Sequence, residues 1–301
     1  MAEIHKFASL MESGGHLGSV DTRNEPAYFN NNNNSNSTPS CKWVSVRHKL
    51  RKTAAEFVGT AILATFGFGA IAQLVLTPNT SSWATMAATW GLALTLSIYA
   101  VGGISGAHLN PAVTLIMSVF RGFSYFDVPL YWAAQTCGAF VGALIIYTLN
   151  EPAIRALEST QTASTIGVFI TGLQTPATSL IVAFFAEFLG TALLVFVILA
   201  TSEGSGITPT DPRFQPVVVG MTLTAVGLGL GQQSGFALNP ARDFGPRVFV
   251  AVAGWGWKEA FARQGWYFWV PLIAPFFGAL GGAFTHDLLA YPSKQGTTSN
   301  L

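Results

Sequence analysis

The chain has 301 residues, half of them hydrophobic and only 10% charged, where soluble domains carry roughly 25% charged residues. A soluble fold could not keep so much apolar surface from water without association, so composition points to the membrane. The net charge of +1 offers no electrostatic footprint for nucleic acid, and two cysteines, Cys41 in a polar stretch and Cys137 in an apolar one, do not indicate a disulfide framework.

Taken in chain order, the first element is a polar N-terminal tail, 1–52, with an Asn-rich stretch from Asn30 to Asn36. Such a composition cannot bury a core and predicts disorder. No apolar signal core precedes the first long run, which must therefore act as its own insertion signal. Lys42, Arg47, Lys49, Arg51 and Lys52 end the tail as a basic juxtamembrane cluster.

A bilayer-spanning helix needs about 20 largely apolar residues. Six runs meet that need: Ala54–Leu76, Ala84–Gly103, Pro129–Leu149, Ser179–Thr201, Pro216–Gly231 with polar extensions, and Trp266–Tyr291. Two shorter apolar stretches, Leu109–Phe120 and Leu238–Ala251, reach only about half way through the hydrocarbon core. The basic cluster places the N-terminus in the cytoplasm, and six spans return the C-terminus, with its short tail 292–301, to the same side. Arg242, Arg247, Lys258 and Arg263 then fall outside, against the positive-inside rule, which implies another task for some of them.

The chain repeats itself. Ala55–Ala61 (AEFVGTA) resembles Ala186–Ala192 (AEFLGTA) at an offset of 131, and Ser105–Ala112 (SGAHLNPA) resembles Ser234–Ala241 (SGFALNPA) at an offset of 129. Two motifs sharing nearly one offset indicate a duplicated half. Each half holds three spans and one short stretch. An odd number of spans inverts the second copy, an arrangement that builds transport sites at the midplane.

Asn110-Pro111-Ala112 and Asn239-Pro240-Ala241 open the two short stretches. Asn is a favoured N-cap and Pro a favoured first helical residue, so each tripeptide reads as a helix start. In inverted halves the two starts meet head to head near the bilayer centre. Each Asn oxygen can cap its own helix, leaving an NH₂ donor toward a cavity. The two helix N-termini aim positive potential at one point, which favours hydrogen-bonding solutes and opposes cations.

Ser105–Thr114 (SGAHLNPAVT) and Gly235–Arg247 (GFALNPARDFGPR) resemble the two signature loops of the aquaporin superfamily, and the likeness covers Thr53 to Tyr291. It implies an all-α membrane protein with six transmembrane helices plus two re-entrant half-helices in inverted repeats. It also implies a channel domain over 53–291, one pore per subunit and a homotetramer. By spacing from the signature asparagines, the resemblance assigns the selectivity filter to Trp90, Gly227, Phe236 and Arg242. Water-selective members carry His at the Gly227 position and a small residue at the Phe236 position, so this set resembles the glycerol-facilitator branch. Asp243, Arg247 and Pro271-Leu272 fit that branch too.

The chemistry of the four residues agrees with the resemblance. Gly227 opens the constriction, Trp90 and Phe236 offer an apolar wall to CH groups, and Arg242 offers fixed donors to hydroxyls. The expected function is passive passage of glycerol, other small uncharged solutes and water, with ions and protons excluded, across the lipid bilayer of the plasma membrane.

Glu56 and Glu187, at equivalent repeat positions within apolar helices, are expected to accept hydrogen bonds from the re-entrant loops, although a proton relay is the alternative for intramembrane carboxylates. His108 is either pore-lining or packed, and Asp243 is expected to satisfy neighbouring loop groups outside the pore. Gly227, Gly229, Gly231, Gly138, Gly142, Gly278 and Gly282 read as points of close helix approach. No metalloprotease, phosphate-loop or nucleophile-elbow motif occurs, so neither an enzyme nor a cofactor is expected. A channel mainly for water, against which Gly227 argues, a coupled transporter and a non-conducting scaffold are the rival readings.

Overall fold

The computed structural model describes residues 40–77, 80–158, 165–202 and 211–289, with side chains from Leu50 onward. The tail before residue 40 and the C-terminal tail 292–301 lie outside these residues. The chain divides into two units, 1–43 and 44–301; of the first, only Ser40–Trp43 is described, and it is helical.

From Ser40 onward the described residues form helices in two copies of one pattern. The first copy comprises α1 (Ser40–Leu76), α2 (Trp83–Ser105), the short α3 (Pro111–Phe120) and α4 (Val128–Glu158). The second comprises α5 (Leu180–Ser202), α6 (Gln215–Leu230), the short α7 (Pro240–Val252) and α8 (Trp269–Leu289). Helices α1, α2, α4, α5 and α8 are long and apolar enough to cross a membrane. The sixth, α6, has 16 residues and gains length from a 3-10 turn at Gly231–Gln233.

Three boundaries differ from the sequence reading. Helix α1 extends back to Ser40, so the basic cluster stands on helical backbone rather than in a disordered tail ending at residue 52. Helix α4 continues past Leu149 to Glu158, through Pro152. Pro152 removes one helical hydrogen bond, but the extra turns bury Ile154 completely and pair Glu151 with Arg155 one turn on. Helix α8 starts at Trp269, because Gln264, Gly265 and Trp266 before it are left-handed (φ 53°, 67° and 65°).

The halves cross where α2 meets α6. A Cβ at Gly91 would strike the Gly220 carbonyl, and a Cβ at Gly220 would strike that of Gly91. The contact is self-complementary, as a pseudo-two-fold axis requires. Thr95 lies beside it and donates to the Gly91 and Pro216 carbonyls at 3.1 Å. Without a hydrophobic force between helices in lipid, such close backbone approach is a main source of association. The same device seats α4 on α1, where Gly138 and Gly142 meet Phe57 and Ala64, and α8 on α5, where Gly278 and Gly282 meet Phe188 and Ala192. Gly227 and Gly231 meet the expectation only in part: each faces α2, through Ala87 and Trp83 respectively, and each also receives the Phe236 ring, while a Cβ at Gly229 meets nothing.

Replacing Gly220 with Val should therefore cost about 1–3 kcal/mol through overpacking, whereas Gly229→Ala should be neutral or slightly stabilising. Thermal unfolding of the detergent-solubilised variants measures the contrast.

Candidate functional site: a pathway through two half-helices

The starts of α3 and α7 meet as their sequences require. Asn110 caps α3 by accepting from the Ala112 N–H at 2.9 Å, and Asn239 caps α7 by accepting from Ala241 at 3.0 Å and Arg242 at 3.3 Å. Pro111 and Pro240 occupy the first helical positions. The amide nitrogens also cross between the halves. Asn110 Nδ2 donates to the Leu238 carbonyl at 2.8 Å, and Asn239 Nδ2 donates to that of Leu109 at 2.7 Å. One hydrogen of each NH₂ group thus ties the halves together, and both asparagines line one cavity of about 210 Å³.

The loop before each half-helix is held by a buried carboxylate. Glu56 accepts from Ser105 Oγ (2.6 Å), the His108 N–H (2.9 Å), the Leu109 N–H (2.7 Å) and Gln135 Nε2 (2.8 Å). Glu187 accepts from Ser234 Oγ (2.5 Å), the Ala237 N–H (2.8 Å) and the Leu238 N–H (2.6 Å). These bonds hold backbone in the left-handed region: Ala107 and Leu109 have φ 48° and 55°, Phe236 and Leu238 have φ 39° and 52°. Non-glycine residues resist that region, so the anchors compensate real strain. Tyr131 and Tyr267 complete the match by donating to the Ser105 and Ser234 carbonyls at 2.9 and 2.8 Å.

Trp90, Phe236 and Arg242 come together beside this junction. All three are buried and line the 210 Å³ cavity, which continues past Asn239 and Asn110 to Ser202 and Gln215. A second cavity, of about 320 Å³, opens on the other side toward Gly172, Gln174 and Arg263. Arg242 is the residue common to both linings. Its guanidinium carbon stands 4.6 Å from the centre of the Trp90 ring, and Nη1 is buried without a hydrogen-bond partner. Gly227 does not line either cavity. Its absent side chain is replaced by the Phe236 ring, which a Cβ at 227 would meet at 3.0 Å, together with Ala87 at 3.0 Å.

His108 lines the 210 Å³ cavity and is also packed, edge-on to Phe123 (4.8 Å) and tilted against Tyr131 (5.2 Å). Asp243 lies outside both cavities. It accepts from the Thr171 N–H (2.9 Å) and hydroxyl (2.5 Å) and pairs with Arg247. Arg247 further donates to the Ala260 carbonyl at 2.6 Å and the Thr171 carbonyl at 2.8 Å. A buried, multiply bonded arginine is no longer a free loop charge, which removes part of the conflict with the positive-inside rule.

Sequence reasoning missed Gln135, Tyr131 and Tyr267 as supports, Trp83, which donates to the Gly227 carbonyl at 2.9 Å, and Phe68 behind Trp90. The two tyrosines had a usable signal, since each lies near the start of the helix closing its repeat.

Residues 42–286 match the family described as Major intrinsic protein. The chain belongs to that family. It is thus a multi-pass integral membrane channel for water and small solutes, not an enzyme. Among curated relatives, Aquaglyceroporin-2 of Rhizophagus irregularis is 44% identical over 255 residues, covering 83% of this chain and 80% of its own. Aquaporin-6 of Laccaria bicolor is 38% identical over 270 residues, 86% of each. The solved aquaglyceroporin of Plasmodium falciparum superposes with a TM-score of 0.74 at 33% identity, covering 80% of this chain and 96% of its own. The six-helix, two-half-helix architecture read from the repeats is that of the family.

Replacing Glu187 with Gln removes one of two carboxylate acceptors and leaves a loop donor unsatisfied. The expected cost is about 1–3 kcal/mol, seen as a lowered unfolding temperature in detergent.

Proposed function

We propose that this channel passes glycerol and similar small uncharged solutes, together with water, by passive diffusion and excludes ions and protons. The observation that carries the reading is the seating of Phe236 against Gly227. A histidine at 227 would occupy the ring's place. With glycine there, Phe236 and Trp90 form an apolar wall opposite the donors of Arg242, and such a passage suits a molecule with one carbon edge and one hydroxyl edge. In this reading Trp90, Phe236 and Arg242 form the selectivity filter, and Gly227 acts by admitting the Phe236 ring rather than by leaving open space.

Asn110 and Asn239 each keep one amide hydrogen for a passing hydroxyl. The N-termini of α3 and α7 and the charge of Arg242 oppose cations. The carboxylates of Glu56 and Glu187 are engaged by loop donors, which favours a structural role over a proton relay. The basic cluster before the first apolar run supports cytoplasmic termini and an outer 320 Å³ vestibule. Assembly as a homotetramer in the plasma membrane completes the proposal.

The test is stopped-flow light scattering on proteoliposomes against empty vesicles. Rapid glycerol and water entry without an ion gradient is expected; dependence on a proton or sodium gradient would replace this reading with coupled transport. Gly227→His combined with Phe236→Cys should lower glycerol flux roughly tenfold while sparing most water flux, and equal loss of both would remove the filter assignment. Arg242→Ala should raise proton leak, measured with an entrapped pH dye; an unchanged leak would place that arginine outside the barrier.

A further inference from the structure

We infer that Phe68, in α1, is a positioning residue of the filter: its ring fixes the Arg242 guanidinium against Trp90 and so sets the width of the passage for polyols. The inference rests on the filter reading above and extends it to a residue outside the four that line or border the passage.

Arg242 sits at the join of the two cavities, and Nη1 has no hydrogen-bond acceptor. A guanidinium with a buried, unaccepted nitrogen needs another means of being held. Two aromatic faces supply it. The guanidinium carbon is 4.6 Å from the Trp90 ring centre and 5.5 Å from that of Phe68, both within the range of cation–π attraction. The two rings stand at 85° to each other with centres 5.6 Å apart. Arg242 is therefore set in a right-angled aromatic corner.

The corner is itself fixed. Gly67, the neighbour of Phe68, has no side chain because the Trp90 indole occupies that space. Phe68 is wholly buried and lines neither cavity. On its far side it meets Phe169 at 6.3 Å, and Phe169 packs edge-on to Phe249 of α7 at 5.4 Å. Phe249 lies about two turns beyond Arg242 on the same half-helix. The Phe68 ring thus joins the helix that seats Trp90 to the helix that carries Arg242.

Without that ring, one of the two aromatic contacts of the guanidinium is lost, and the attraction of Asp243 and Glu187 acts on it without that guide. The favourable alternative for a buried cation is water in the passage. An arginine leaning into the lumen obstructs glycerol more than it obstructs water, since glycerol is the wider solute.

The experiment measures glycerol and water permeability on the same proteoliposomes for the wild type, Phe68→Leu, Phe68→Met and Phe68→Tyr, with Phe236→Cys alongside. The ratio of the two permeabilities does not depend on how much protein inserts, so a poorly folding Leu variant is replaced by the Met variant under the same criterion. The glycerol-to-water ratio should fall about threefold or more in the ringless variants and stay near wild type in Phe68→Tyr. An unchanged ratio in the ringless variants, while Phe236→Cys shifts it, would overturn the role of Phe68 and leave the filter reading standing. Equal shifts in Phe68→Tyr and Phe68→Leu would also overturn it, since volume rather than the π face would then matter. A wild type that passes no glycerol would sink the filter reading itself.

Discussion

Non-helical backbone at the depth of a bilayer is tolerated only where protein or a wet cavity satisfies it, and this structure depends on how that demand is met. Each re-entrant loop places two non-glycine residues at positive φ and exposes N–H groups that no helix can use. Glu56 and Glu187 take up those donors with both carboxylate oxygens. A neutral amide could not, since it offers a single acceptor. The charge is acceptable because the carboxylate is matched by several donors at once, which is the condition under which a buried charge is tolerated. Once the loops are fixed, the asparagine caps, the half-helices and the arginine that follows Asn239 are positioned with little freedom left.

The cross bonds between halves complete this arrangement. Asn110 donates to the backbone of the second loop and Asn239 to that of the first. Each loop therefore satisfies a carbonyl of the other, and neither half can close its own hydrogen-bond inventory alone. This mutual dependence, together with the interlocked glycines Gly91 and Gly220, explains why two copies of one pattern form a single body around a pathway.

Much of this was legible because the repeats are local in sequence. The matched offsets of AEFVGTA and SGAHLNPA announced inversion, and Asn-Pro announced a capped helix start that hydropathy then showed to be short. The paired glutamates could be assigned to the loops because they recur at equivalent positions. Contacts made across the fold were not legible. That Gly227 seats the Phe236 ring, that Trp90 rests on Gly67, and that Phe68 backs Arg242 all depend on the approach of α1, α2, α6 and the second loop. A glycine gives no sign in sequence of what lies opposite: Gly220 meets the backbone of another helix, Gly227 a ring beside Ala87, and Gly229 nothing. The extension of α4 through Pro152 was hidden for a related reason: the apolar run ends at Leu149, and only the fold shows that Ile154 beyond it is buried.

The repeat also diverges at the four positions proposed as the filter. At the repeat offset of 129, Trp90 is matched by Val219, Phe236 by Ala107, Arg242 by Val113 and Gly227 by Ile98. All four of these counterparts line the 210 Å³ cavity, as Trp90, Phe236 and Arg242 do. The supporting groups, by contrast, are kept in both halves: Glu56 with Glu187, Ser105 with Ser234, and Tyr131 with Tyr267. A symmetric scaffold would place two equal constrictions in series, and a solute would meet the same barrier twice. Small or aliphatic residues at the second set of positions offer neither a guanidinium nor an aromatic wall. In the proposed reading one end of the pathway discriminates while the other conducts, and the two ends differ at these four positions within a shared architecture.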